Sequence, residues 1–164
     1  MIDQVLPEKT IIEKVKALKK AEEISFSYGL TTVDDAGLNT GIISIIDSLH
    51  KLNELKIKIY AMVSVSKKNI EKFKKSGKIK TSKLNVRSFK VYGDGALGSR
   101  GAALKNPYCD DPHNYGFLRT DIKDLKYYAN EIAGMGFQMN THAIGDSTVS
   151  VLLKEYQKVL SNIK

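Results

Sequence analysis

The chain has 164 residues, 42% of them hydrophobic, with three prolines and no tryptophan. Such a composition describes one globular unit over residues 1–164 with a buried core and excludes a disordered chain. The formal charge is +8, but the basic residues are dispersed and no aromatic residues interleave with them as stacking platforms, so helix-surface lysines account for it and no nucleic-acid partner is expected.

Pro7 precedes a stretch from Glu8 to Glu23 in which Ile11, Ile12, Val15, Leu18 and Ala21 recur at helical spacing. The short β-branched segment Leu30–Gly37 predicts a strand, and a second periodic helix follows from Thr40 to Leu55. The pattern repeats with a strand over Ile57–Val65, a lysine-rich helix over Lys67–Ser76 and a strand over Val86–Tyr92. From Gly93 to Arg119 the sequence turns irregular, with Pro107, Pro112 and several Gly and Asp residues that leave little room for a packed element. A helix from Asp121 to Met135 has Asp121 as its N-cap and Gly136 as its stop. Phe137–His142 reads as the last strand, and Asp146-Ser147 reads as the cap of a final amphipathic helix.

Strands alternating with helices imply an α/β fold with about four parallel strands, covered on both faces. An open sheet and part of a (β/α)8 barrel both satisfy that order, four strands being half of a barrel's eight. The single cysteine, Cys109, excludes an internal disulfide and a CxxC metal site and fits a reducing compartment, so a cytoplasmic location is expected. Met1–Glu8 lacks the basic flank and apolar core of a secretory signal, and no run is long enough to span a bilayer, so no membrane partner is expected.

Two strand ends carry chemistry. The first is Lys90 within Phe89-Lys90-Val91-Tyr92, breaking into Gly93-Asp94-Gly95-Ala96-Leu97-Gly98-Ser99-Arg100; the second is His142, where a strand enters Ala143-Ile144-Gly145-Asp146. Barrel enzymes keep metal ligands at such points. From alternation alone Lys90 is a polar-face lysine between apolar neighbours, and a lone histidine is a core or surface residue. Asp94 and Arg100 suit either substrate orientation or a salt bridge within the loop. Asp146 suits either an N-cap or a hydrogen-bonding partner for His142. The Gly-x-Gly-x-x-Gly of the loop does not open into a periodic helix, which argues against a dinucleotide site. His113 sits in a turn where adjacent acids cannot converge on one ion, and His50 is read as solvating a helix C-terminus.

The run Phe89–Leu104, then Pro107-Tyr108, Asp111-Pro112 and Gly116, then His142–Asp146, resembles the YtcJ-like branch of the amidohydrolase superfamily. Gly29–Gly37 resembles an earlier barrel strand of the same family more weakly. The resemblance implies a (β/α)8 barrel and hydrolysis of an amide or other C–N bond of a small-molecule substrate by metal-activated water. It implies that Lys90, once deprotonated, adds to carbon dioxide and releases a proton, giving a carbamate that bridges divalent metal ions such as zinc. It further implies that His142 is a metal ligand.

The same comparison predicts what the chain lacks. No His-x-His occurs anywhere in it, and neither the later histidine nor the aspartate of the family pattern follows, so four of six expected ligands are absent. A catalytic zinc needs about three protein ligands, so the chain is expected to be an internal segment of a longer barrel, without stable metal or activity by itself. The alternative expectation is a non-enzymatic half-barrel that self-associates through its strand edges.

Overall fold

A computed structural model describes residues 7–162; most of the N-terminal stretch read above for a targeting signal lies outside the described residues. The elements are α1 (Ile11–Ser27), β1 (Thr32–Leu38), α2 (Thr40–Lys51), β2 (Lys58–Ser64), α3 (Lys67–Ser76), β3 (Ile79–Lys80), β4 (Leu84–Tyr92), α4 (Ile122–Gly134), β5 (Gln138–His142) and α5 (Asp146–Ser161). Strands β1, β2, β4 and β5 are parallel and adjacent in that order. Each strand pairs with the next parallel one along the chain, the winding of a barrel and not of a doubly wound sheet. The protein is an α/β fold forming part of a (β/α)8 barrel.

Local chemistry sets the element ends. Helix α1 starts at Ile11 and not at Glu8 because Thr10 and Glu13 form a reciprocal capping box: Glu13 N–H donates to Thr10 Oγ1 at 3.2 Å and Thr10 N–H to Glu13 Oε2 at 2.7 Å. Asn39, Ser66 and Asp121 cap α2, α3 and α4 through their side chains, Asp121 as expected. Strand β3, unforeseen in the sequence, runs antiparallel to the start of β4 with Ile79 opposite Val86. At two residues it is too short to show any periodicity.

One apolar core lies between the sheet and the helices. It joins Ile59, Ala61 and Val63 of β2 and Val86, Phe89 and Val91 of β4 to Ile43 and Ile46 of α2, Ile70 and Phe73 of α3, Leu125 and Ile132 of α4, and Leu152 of α5. Phe73, Phe89 and Phe137 stack edge-on or tilted at its centre, with ring centroids 5.3–5.8 Å apart. The alternate residues on the other side of the sheet are mostly polar: Tyr60 Oη donates to Ser88 Oγ at 2.7 Å, and Asn140 Nδ2 donates to Met62 Sδ at 3.2 Å. The expectation of cover on both faces is therefore corrected. Sequential winding sends every crossover to the same side, and the polar side is the one a closed barrel turns inward.

The Gly93–Arg119 connection holds no helix, yet it is packed. Ala102, Ala103 and Tyr108 are buried in it, and Tyr108 Oη donates to Ala102 O at 2.9 Å. His50 also departs from expectation: instead of solvating the end of α2 it turns inward, Nε2 meeting Ile57 O at 3.0 Å, and desolvation lowers its pKa. Among the described residues no helix is long and apolar enough to cross a membrane.

Candidate functional site

Strand β4 alternates Phe89 and Val91, fully buried toward the helices, with Lys90 and Tyr92 on the opposite face. Lys90 is in register with Asn140 of β5 and Ser64 of β2, and Tyr92 with His142. Registered residues of parallel strands share a face, so Lys90 and His142 leave the sheet on one side at the same, C-terminal end. One strand across and two residues along places their Cα atoms about 8 Å apart, from a ~4.8 Å strand spacing and a ~3.3 Å rise.

Tyr92 is the hub of this corner. Its ring has Lys90 Nζ at 5.3 Å, the Arg119 guanidinium carbon at 5.2 Å and the His142 ring at 5.9 Å, all measured to the centroid. Arg119 is held at the exit of β4 by its own N–H, which donates to Gly93 O at 2.8 Å, and by Thr120 Oγ1, which donates to Tyr92 O at 2.6 Å. Sequence reasoning missed both residues. Tyr92 was visible as the second polar-face position of β4, but Arg119 comes from the far end of the loop and nothing in its local sequence marks it.

Asp94 lies elsewhere than expected. It is 1% exposed, and its carboxylate accepts Ile144 N–H on Oδ1 at 3.0 Å and three donors on Oδ2: Ala103 N–H at 3.1 Å, Gly145 N–H at 2.8 Å and Thr148 Oγ1 at 2.7 Å. Burial by itself raises its pKa and is the largest single influence, but these four bonds together outweigh it and hold the carboxyl below the usual range. A carboxylate so enclosed is not presented to a substrate. It is a clamp joining the loop, the β5–α5 turn and the first turn of α5, and its Oδ1 lies 4.0 Å from His142 Nε2.

Gly145 makes that clamp possible. A Cβ there would lie 1.9 Å from Ala103 O, so only glycine lets the loop backbone reach the start of α5. Ala103 O then accepts Ser147 N–H at 3.2 Å. Asp146, expected as an N-cap or as a partner of His142, is instead in the first turn of α5, behind Gly145, which caps without a side-chain bond; Asp146 Oδ1 accepts Lys105 N–H at 2.9 Å. Arg100 pairs with Asp110 at 2.8 Å, the intraloop alternative.

The structure thus brings Lys90 and His142 together, with Asp94 behind His142, and leaves Arg100 and Asp146 in the loop framework. Among the described residues no group of three or more His, Cys, Asp or Glu side chains could hold a metal ion. The His142 side chain is 30% exposed on the polar face, where a neutral imidazole has a lone pair to offer a cation and a lysine ammonium has none.

Parallel strands wound in sequence, with polar side chains gathered at their C-terminal ends, define the class of (β/α)8-barrel proteins. The sequence matches the model of the amidohydrolase family over residues 2–164, and the chain belongs to that family. It is 37% identical over 68 residues to YtcJ of Bacillus subtilis (strain 168), named as an amidohydrolase, covering 42% of this chain and 13% of that protein. It is 36% identical over 66 residues to the protein LONG AFTER FAR-RED 3 of Arabidopsis thaliana, covering 40% of this chain and 11% of that one. Crystal structures of uncharacterized metal-dependent hydrolases from Pyrococcus horikoshii OT3 and Pyrococcus furiosus superpose with TM-scores of 0.84 and 0.86 at 26% and 24% identity. They cover 92% and 97% of this chain, and the chain spans 31% and 34% of theirs.

Proposed function

We propose that this chain supplies one side of a metal-dependent amidohydrolase barrel, contributing Lys90 as a carbamate and His142 as an imidazole to a divalent metal centre completed by strands outside the sequence. The observation that carries the reading is the register: Lys90 and His142 share a face and a strand end on adjacent parallel strands. In such a centre a divalent cation such as zinc activates water toward a C–N bond of a small-molecule substrate. The residues of this chain hold and orient. Lys90 and His142 fix two corners of the centre, Tyr92 forms the wall between them, and Asp94 with Gly145 keeps the loop docked behind His142. Arg119, stacked on Tyr92, offers a cation to a polar group of the substrate.

Within a complete barrel that carries this segment, His142→Ala lowers both bound metal, read by elemental analysis, and amide hydrolysis, while Arg100→Ala leaves metal content unchanged. Unaltered metal stoichiometry in His142→Ala removes the ligand assignment. The 164-residue chain alone is expected to show no amide turnover with added zinc; turnover abolished by His142→Ala would refute the need for further strands.

A second reading, self-association of the chain, is favoured by the two sheet edges. Among the described residues β1 pairs only with β2 and β5 only with β4, leaving each with an edge able to accept another strand.

A further inference from the structure

We infer that Asp94 is the positioning residue for His142, setting which ring nitrogen carries the proton and leaving Nδ1 as the donor toward a cation; this rests on the proposed role of His142 as a ligand. The two oxygens of Asp94 are used unequally. Oδ2 accepts three hydrogen bonds, from Ala103, Gly145 and Thr148, and is saturated. Oδ1 accepts one, from Ile144 N–H, and it is this oxygen, with lone-pair capacity to spare, that faces His142 Nε2 at 4.0 Å.

That separation is too long for a hydrogen bond, so the carboxylate acts through space. Asp94 is fully buried, and both of its oxygens are used as acceptors by the four donors that enclose it, the pattern of a carboxylate. An anion beside Nε2 favours the tautomer with hydrogen there, and a small rotation of the imidazole converts the approach into a direct Nε2–H donation to Oδ1. The lone pair then remains on Nδ1. Asp94 cannot swing away, because its partners belong to three separate pieces of backbone, the loop at Ala103, the turn at Ile144 and Gly145, and α5 at Thr148. Asp146 cannot substitute, since its Oδ1 is committed to Lys105 N–H. Fixing a histidine tautomer through the ring nitrogen that does not bind metal is a general device of metal sites.

The test is the imidazole tautomer of the metal-free 18.2 kDa chain, read from long-range proton–nitrogen-15 NMR spectra at pH 8, above the ordinary imidazole pKa of about 6.5. His142→Gln identifies the signal among the three histidines. Wild-type protein is expected to show His142 as the Nε2–H form. Asp94→Asn is expected to raise the Nδ1–H population severalfold, and Arg100→Ala, which removes an ion pair with Asp110 that does not touch Asp94, leaves the tautomer unchanged. A wild-type His142 that is Nδ1–H or an even mixture overturns the assignment, as does an unchanged tautomer in folded Asp94→Asn. If that variant fails to fold, Asp94→Glu, which keeps the charge but displaces it, takes its place, and an unchanged tautomer ratio there also overturns the assignment. Because no metal enters the measurement, its result stands apart from the metal content of His142→Ala, and either can fail without the other.

Discussion

Gly145→Ala places a methyl group 1.9 Å from Ala103 O and 2.5 Å from Ala103 C, both backbone atoms that no rotamer can move aside. An ordinary carbon–oxygen approach is about 3.3 Å, so the loop must retreat by roughly 1.4 Å. The retreat breaks Ser147 N–H to Ala103 O and loosens Ala103 N–H to the buried Asp94 carboxylate. Overpacking costs about 1–3 kcal/mol and a weakened bond to a charged group about 1.5–3 kcal/mol, so the sum is about 2.5–6 kcal/mol. For a domain of this size that lowers the melting temperature by about 10 °C. The control is Gly98→Ala, where an added Cβ meets nothing within 4 Å and the change stays within about 0.5 kcal/mol. Thermal denaturation followed by circular dichroism compares the two. Equal melting temperatures for the two variants would show that the loop is not seated on α5 as described.

Asp94 has a depressed pKa in the folded chain, so its contribution to stability is present above its unfolded value, about 3.9, and disappears as pH falls through the lower folded value. The melting-temperature gap between wild type and Asp94→Asn is therefore widest above about pH 5 and narrows in acid; a gap independent of pH would contradict the buried ionised clamp. Phe89→Ala, at the centre of the three-phenylalanine cluster, costs about 3–5 kcal/mol in urea unfolding, and a loss below 1 kcal/mol would mean the cluster is not the core. Light scattering after size-exclusion chromatography tests the free edges: self-association gives an apparent mass of twice 18.2 kDa or more, while a monomer at every concentration rejects it.

Much of the chain could be read from its residues because the signals were local. The alternation around Phe89 and Val91 gave β4, Asp121 gave the start of α4, and the apolar spacing of Val151 and Leu152 gave α5. What stayed hidden was set by distance along the chain. Asp94 looked like an exposed loop acid because Thr148, one of its four partners, is 54 residues away. Asp146-Ser147 carried the composition of a cap, but the position was taken by Gly145, whose missing side chain matters only once Ala103 arrives from across the loop. Periodicity shows that a strand has a polar side without showing whether helices cover it, so the open face came only from the strand order.

The short strand β3 has an effect out of proportion to its length. Strand β2 occupies one margin of β4 from Leu84 to Lys90, so both β3, at Asn85 and Val86, and β5, from Ser88 to Tyr92, must share the other. The hairpin is thus a doorstop below β5: a slide of the last strand toward the base of the sheet collides with it. A shift of two residues would preserve the facing of every side chain and yet carry His142 off the level of Tyr92. Alternation cannot prevent that error; a neighbour already seated on the same rail can.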